Sequence, residues 1–105
     1  MNMEEAVRLL TEYRDQIDVL DLEILALLNR RTRVVERIGE VKQKTNMPVY
    51  EPQREEEVFR NVTENNGGPL SPEAVKRVFE RIIDEMRTVQ RERMLKSQAA
   101  EREQE

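Results

Sequence analysis

The sequence predicts an all-α protein of three helices, one long, one short and one medium, arranged as an intertwined helical homodimer. Three observations carry that expectation. Apolar residues recur at alternating steps of three and four from Ile17 to Val41, the spacing of a helix packed along a continuous seam. The prolines fall in two places, Pro48 with Pro52 and Pro69 with Pro72, and so cut the chain into three stretches. Charged residues make up 38% and aromatics only 4%, a balance that suits helices laced with surface ion pairs and leaves little to build a sheet. No strand is expected.

The first stretch, Met3 to about Lys44, contains no proline and a single glycine, Gly39. As a helix it is a rod of roughly 60 Å, longer than a compact domain of this size is wide, so it must pair with another chain or stand exposed. Asn46-Met47-Pro48 ends it, because the residue before proline avoids the helical region. After a short loop, Pro52 sits well as the first residue of a second helix running to about Glu64, with Glu55, Val58, Phe59 and Val62 facing inward. Asn65-Asn66-Gly67-Gly68-Pro69 is a turn, and Ser71-Pro72-Glu73 reads as cap, first-position proline and acidic first turn of a third helix. Its inward stripe is Val75, Val78, Phe79, Ile82, Ile83, Met86, Val89 and Gln90. Residues 1–95 thus read as one helical domain, and 96–105 as a polar C-terminal tail or linker.

With 105 residues, 37% of them hydrophobic, one copy buries a thin core, which self-association would relieve. The net charge of −4 opposes nucleic acid as a partner, since phosphate binding needs a basic face. There is no Cys and no His, so disulfides, thiolate chemistry and the commonest general base and metal ligand are excluded. No cofactor is called for. The N-terminal residues lack a basic and apolar leader pattern and no stretch is apolar enough to span a bilayer, which makes the cytoplasm the expected location, away from the membrane.

Each helix carries polar residues on its apolar face. Arg31 fills a slot of the first seam between Leu27 and Val34, where a guanidinium without a partner costs several kcal/mol, roughly. Lys42 lies 11 residues on, about 20° from the same meridian, so two long basic side chains lean toward one small anion. Glu55 points inward on the second helix and Gln90 on the third. Singly, each has a duller reading: Arg and Lys snorkel, Glu55 pairs with its neighbour Arg54, and Gln90 satisfies a backbone carbonyl. Four together describe a wet pocket in a helical bundle. Arg14, 17 residues before Arg31, is about 25 Å from it and about 100° round the helix, so the two hold one ligand only if they come from different chains. A twofold dimer with paired long helices and two shared sites would bring them together. The local alternative is an Arg14–Asp18 pair on a solvated face.

The run Tyr13-Arg14, Asp18, Asp21, Leu27-Leu28-Asn29-Arg30-Arg31, Ile38-Gly39-Glu40-Val41-Lys42, Pro48-Val49 and Gln53-Arg54-Glu55, continued by Phe79, Ile82-Ile83 and Gln90, resembles the all-α chorismate mutase family over nearly the whole chain. The loop Glu64 to Pro69 further resembles the mutase domains fused ahead of 3-deoxy-D-arabino-heptulosonate-7-phosphate synthase. The resemblance implies rearrangement of chorismate to prephenate in aromatic amino-acid biosynthesis, a one-step pericyclic reaction needing no nucleophile, metal or proton transfer. It implies that Arg31 and the other chain's Arg14 clamp the substrate carboxylates, which suits the bidentate guanidinium. It further implies that Lys42 and Gln90 donate to the breaking ether oxygen, and that Glu51 and Glu55 hold the ring hydroxyl with Arg54 in support. Glu51 departs from a frequent Asp, and Met86 from a Ser found in some members.

The rivals on the same fold are isochorismate pyruvate lyase, disfavoured by Gln53-Arg54-Glu55, and a mutase acting on 4-amino-4-deoxychorismate. From another class comes a non-catalytic dimerisation module in which Arg31 is a register-setting buried charge. A nucleic-acid binder built on Arg30-Arg31-Thr32-Arg33 is weakest, because that run spans less than a full turn.

Overall fold

The computed structural model describes residues 1–104 and consists of α1 (Met3–Lys44), α2 (Pro52–Glu64) and α3 (Pro72–Gln104). No strand occurs among the described residues. The chain forms two compact units, one of residues 1–33 and the other beginning at Val34, and α1 contributes to both.

In the first unit Asn2 opens the helix, its Oδ1 accepting from the Glu5 backbone N–H at 2.8 Å, and Glu4 and Glu5 follow in the positively polarised first turn. The apolar side chains of this segment are uncovered: Val7, Leu10, Tyr13, Ile17, Leu20, Ile24 and Leu27 are each about half exposed. Arg31 and Thr32 are half-buried.

In the second unit α1 ends on a left-handed residue. Asn46 has φ 56°, and the Met47 N–H reaches back to the Lys42 carbonyl at 2.8 Å, the closing bond of a Schellman-type cap. Pro48 then excludes any further turn. Glu51 occupies the N-cap position of α2 with Pro52 behind it, but its carboxylate makes no capping bond and is left for other work. Asn66 fastens the α2–α3 turn, accepting from the Gly68 N–H at 3.0 Å and donating to the Leu70 carbonyl at 2.7 Å. Gly68 takes φ 77°, where a side chain would be strained. Ser71 caps α3, its Oγ accepting from the Ala74 N–H at 3.1 Å.

The core is thin, as the composition requires. Val35, Gly39 and Lys42 of α1 are buried, with Val75, Ile83, Met86 and Gln90 of α3, and the predicted α2 stripe of Glu55, Val58, Phe59 and Val62 is half-buried. No described side chain is fully sealed. Arg93 of α3 ties the helices outside this core, pairing with Glu36 at 2.9 Å and with Glu40, one turn apart on α1.

In one chain the seam side chains Val34, Ile38 and Val41 of the second unit are uncovered, as are Ile17, Leu20, Ile24 and Leu27 of the first, as expected of a long helix that pairs with another chain or stands exposed. One expectation is corrected, at Val78, which is exposed although its spacing places it in the α3 stripe. Residues 96–104, read as tail or linker, continue α3 without a break, while Glu105 lies outside the described residues.

Candidate functional site

An ammonium group sits inside the second unit. Lys42 and Gln90 are 6% and 7% exposed, and burial on this scale is tolerated for a Lys only when its donors are met. Lys42 Nζ donates to the Val49 carbonyl at 3.0 Å and to Gln90 Oε1 at 3.4 Å, and it lies 3.6 Å from the Glu51 carboxylate. An ammonium has three donors. Two are engaged in hydrogen bonds, and the Glu51 contact is an ion pair too long to use the third fully. With its oxygen turned to Lys42, the Gln90 amide keeps its NH2 as a donor. Gly39 of α1 lies beside it: a methyl group added there would meet Gln90 Cγ at 3.5 Å, an ordinary van der Waals contact.

The loop between α1 and α2 is held to this group from two sides. Lys42 grips it at Val49 and Glu51, and Tyr50 lies under the Arg87 guanidinium, 5.5 Å from ring centroid to Cζ. Arg87 reaches from α3 to α2, its Nε 3.1 Å from Glu55 Oε2, with side chains 29% and 20% exposed. The contact is an ion pair by distance, although the Nε–H is not aimed along a hydrogen bond. The site therefore holds two carboxylates, each matched with one fixed cation.

The structure brings together Lys42, Glu51 and Gln90 and places Glu55 beside Arg87. It does not bring Arg54 in. That residue is 65% exposed and pairs with Glu57 at 3.3 Å on the outer face of α2, so Glu55 is served by Arg87 instead. Met86 is buried in the core beside this cluster's helix face. Arg14, exposed, and Arg31, half-buried, belong to the first unit. A cleft of about 400 Å³ opens beside Lys42 between Met47, Met94, Gln98 and Glu101, but Lys42 is the only predicted site residue that lines it. Arg87, Tyr50 and the Val49 carbonyl were not foreseen. For Arg87 the signal exists: it stands four residues after Ile83 and three before Gln90, on the inward side of α3.

Among the described residues no cluster of His, Cys, Asp or Glu could hold a metal ion, and no helix is long and apolar enough to cross a membrane.

Residues 13–91 match the family model described as chorismate mutase type II. A bifunctional chorismate mutase/prephenate dehydratase of Aquifex aeolicus is 42% identical over 78 residues, which are 70% of this chain and 22% of that protein. The chain thus spans about a fifth of the length of the curated relatives it matches first. Among solved structures, a chorismate mutase from Thermus thermophilus superposes with a TM-score of 0.77 at 32% identity, covering 78% of this chain and 93% of that one. The chorismate mutase of Helicobacter pylori, solved in complex with prephenate, gives 0.76 at 28% identity, covering 81% and 92%. With the family model matched over residues 13–91 and solved chains matched in fold over more than nine-tenths of their length, this chain belongs to the chorismate mutase type II family.

Proposed function

We propose that the protein rearranges chorismate to prephenate, without cofactor, at a site built on Lys42 and Gln90. The observation that carries this is the buried Lys42–Gln90 pair, which holds one ammonium donor and one amide NH2 in a place sheltered from water. In the reaction an ether C–O bond breaks while a C–C bond forms in the same step, and negative charge grows on the ether oxygen. Fixed donors aimed at that oxygen bind the transition state better than the ground state, and they do so most strongly where the dielectric is low. The prephenate-bound relative supports the same substrate class.

The rest of the machinery in this reading comes from charge matching. Arg31, with Arg14 of a second copy, takes the two substrate carboxylates and holds the molecule folded for reaction. Glu51 and Glu55 accept from the ring hydroxyl, and Met86 packs against the ligand from α3. Arg54, exposed and paired with Glu57, is left a role in the field around the site rather than a contact. A homodimer with shared sites is supported by the uncovered apolar face of α1, from Val7 through Leu27 to Val41, which is too large for a stable isolated surface. In this reading residues 96–104 serve as a linker. The Aquifex relative joins a mutase to a prephenate dehydratase, whereas the loop from Glu64 to Pro69 favours a fused or associated 3-deoxy-D-arabino-heptulosonate-7-phosphate synthase.

The test is direct. Purified protein is mixed with chorismate, with no metal or cofactor added, and substrate loss is followed while the product is identified. Prephenate is the expected product. Pyruvate released from isochorismate, turnover of only the 4-amino analogue, or inertness toward all three would overturn the reading in favour of a lyase, an aminodeoxychorismate mutase or a dimerisation module.

A further inference from the structure

We propose that Arg87 is a positioning residue that sets substrate specificity: paired with Glu55, it fits that carboxylate to accept from a neutral ring hydroxyl and to reject a ring ammonium. The inference rests on the reading above, in which Glu55 meets the ring substituent.

Arg87 is fixed on three sides. Its Nε is 3.1 Å from Glu55 Oε2, its Nη2 is 3.6 Å from Asp84 Oδ1, and its guanidinium lies over the Tyr50 ring. Asp84 is 58% exposed, so the guanidinium charge is spent chiefly on Glu55. A lone, largely buried carboxylate attracts an ammonium far more strongly than a hydroxyl, because the first contact is charge on charge. With a guanidinium already beside it the balance changes. An arriving ammonium then meets repulsion from Arg87 that offsets its attraction to Glu55, while a hydroxyl, having no net charge, keeps its hydrogen bond. The second carboxylate follows the same pattern, since Glu51 is matched by Lys42 at 3.6 Å. Neither carboxylate offers an uncompensated negative charge, and the pair of carboxylates is therefore built for a neutral donor.

The experiment compares kcat/KM for chorismate and for 4-amino-4-deoxychorismate in the wild type, Arg87→Leu and Arg87→Lys. The wild type is expected to prefer chorismate. Arg87→Leu should lower that preference by about tenfold or more, mainly through a lower KM for the amino analogue, and Arg87→Lys should keep it. Equal losses on both substrates, with the ratio unmoved, would mean that Arg87 only supports the fold, and the proposal would be wrong. Should Arg87→Leu not fold, Arg87→Gln, which keeps donors without the charge, puts the same question to the same ratio. A wild type that leaves chorismate untouched overturns the functional reading and this proposal together, whereas an active wild type with an unmoved ratio overturns the specificity role alone.

Discussion

Lys42 Nζ stands 3.4 Å from Gln90 Oε1, and neither side chain is more than 7% exposed. The pair joins the last turns of α1 to the inner face of α3, and among the described residues it is the only place where the core is polar. A structural core has no use for this arrangement, because an apolar pair of similar volume serves stability as well or better. Lys42→Met, which removes only one partner, leaves the Val49 carbonyl and Gln90 Oε1 without their donor. It is expected to lose about 1–3 kcal/mol of stability while still folding, and to lower kcat by about 100- to 1,000-fold, the usual cost of one oxyanion donor. Circular dichroism with thermal unfolding reads the first expectation, and chorismate kinetics the second. A variant that keeps its rate removes Lys42 from the reaction.

Gln90→Glu tests the other half of the pair through pH. When protonated, the introduced carboxyl can still donate to the ether oxygen; once ionised it repels the charge growing there. Activity should therefore be present at acidic pH and fall as pH rises through the titration of the new group. Burial pushes that titration up and the Lys42 ammonium pulls it down, so its position reports which dominates. A rate profile as flat as the wild type's would exclude a donor role for Gln90.

Much of this molecule is legible in its sequence, and the residues show why. The helix ends at Lys44, Pro52 and Pro72 are written in local chemistry: a left-handed Asn46 before Pro48, prolines at first helical positions, and a serine cap at Ser71. Lys42, Gln90 and Glu55 are legible because a polar residue on an apolar meridian stands out by period alone. Partners are not. Glu55 has Arg54 beside it in sequence but Arg87 beside it in space, and only the packing of α2 on α3 decides between them. The helix from Lys96 to Gln104 is invisible to a reading by apolar period, since it has almost no apolar stripe to show. The α1 seam was legible as a seam, but not which neighbour covers which meridian.

The Arg93 clasp offers a control with the opposite pattern. Arg93 bridges Glu36 and Glu40 at the surface, with side chains between 36% and 47% exposed. Such pairs are screened and worth at most about 1 kcal/mol in all. Arg93→Ala should lower the melting temperature by no more than about 4–8 °C, and less in high salt, while chorismate turnover stays close to wild type. A large loss of activity at full stability would place Arg93 in the site.

Sharing of the site between two copies makes a prediction that no single-chain account can match. In the proposed dimer each site takes Lys42 from one chain and Arg14 from the other, so Arg14→Ala and Lys42→Ala are each expected to be nearly inactive alone. Mixed, unfolded and refolded together in equal amounts, half of the dimers carry one chain of each kind. Each mixed dimer then has one site with both residues intact and one site lacking both. Random pairing should thus return about a quarter of wild-type activity from two inactive proteins. The apolar face of α1 supplies the companion variant: Ile24→Asp places a carboxylate on the uncovered stripe, and it should drive the protein toward monomers in size-exclusion chromatography with light scattering, with activity falling in step. Mixed variants that stay inactive although mixed dimers form, or an Ile24→Asp monomer that turns over chorismate at the wild-type rate, would overturn the shared site.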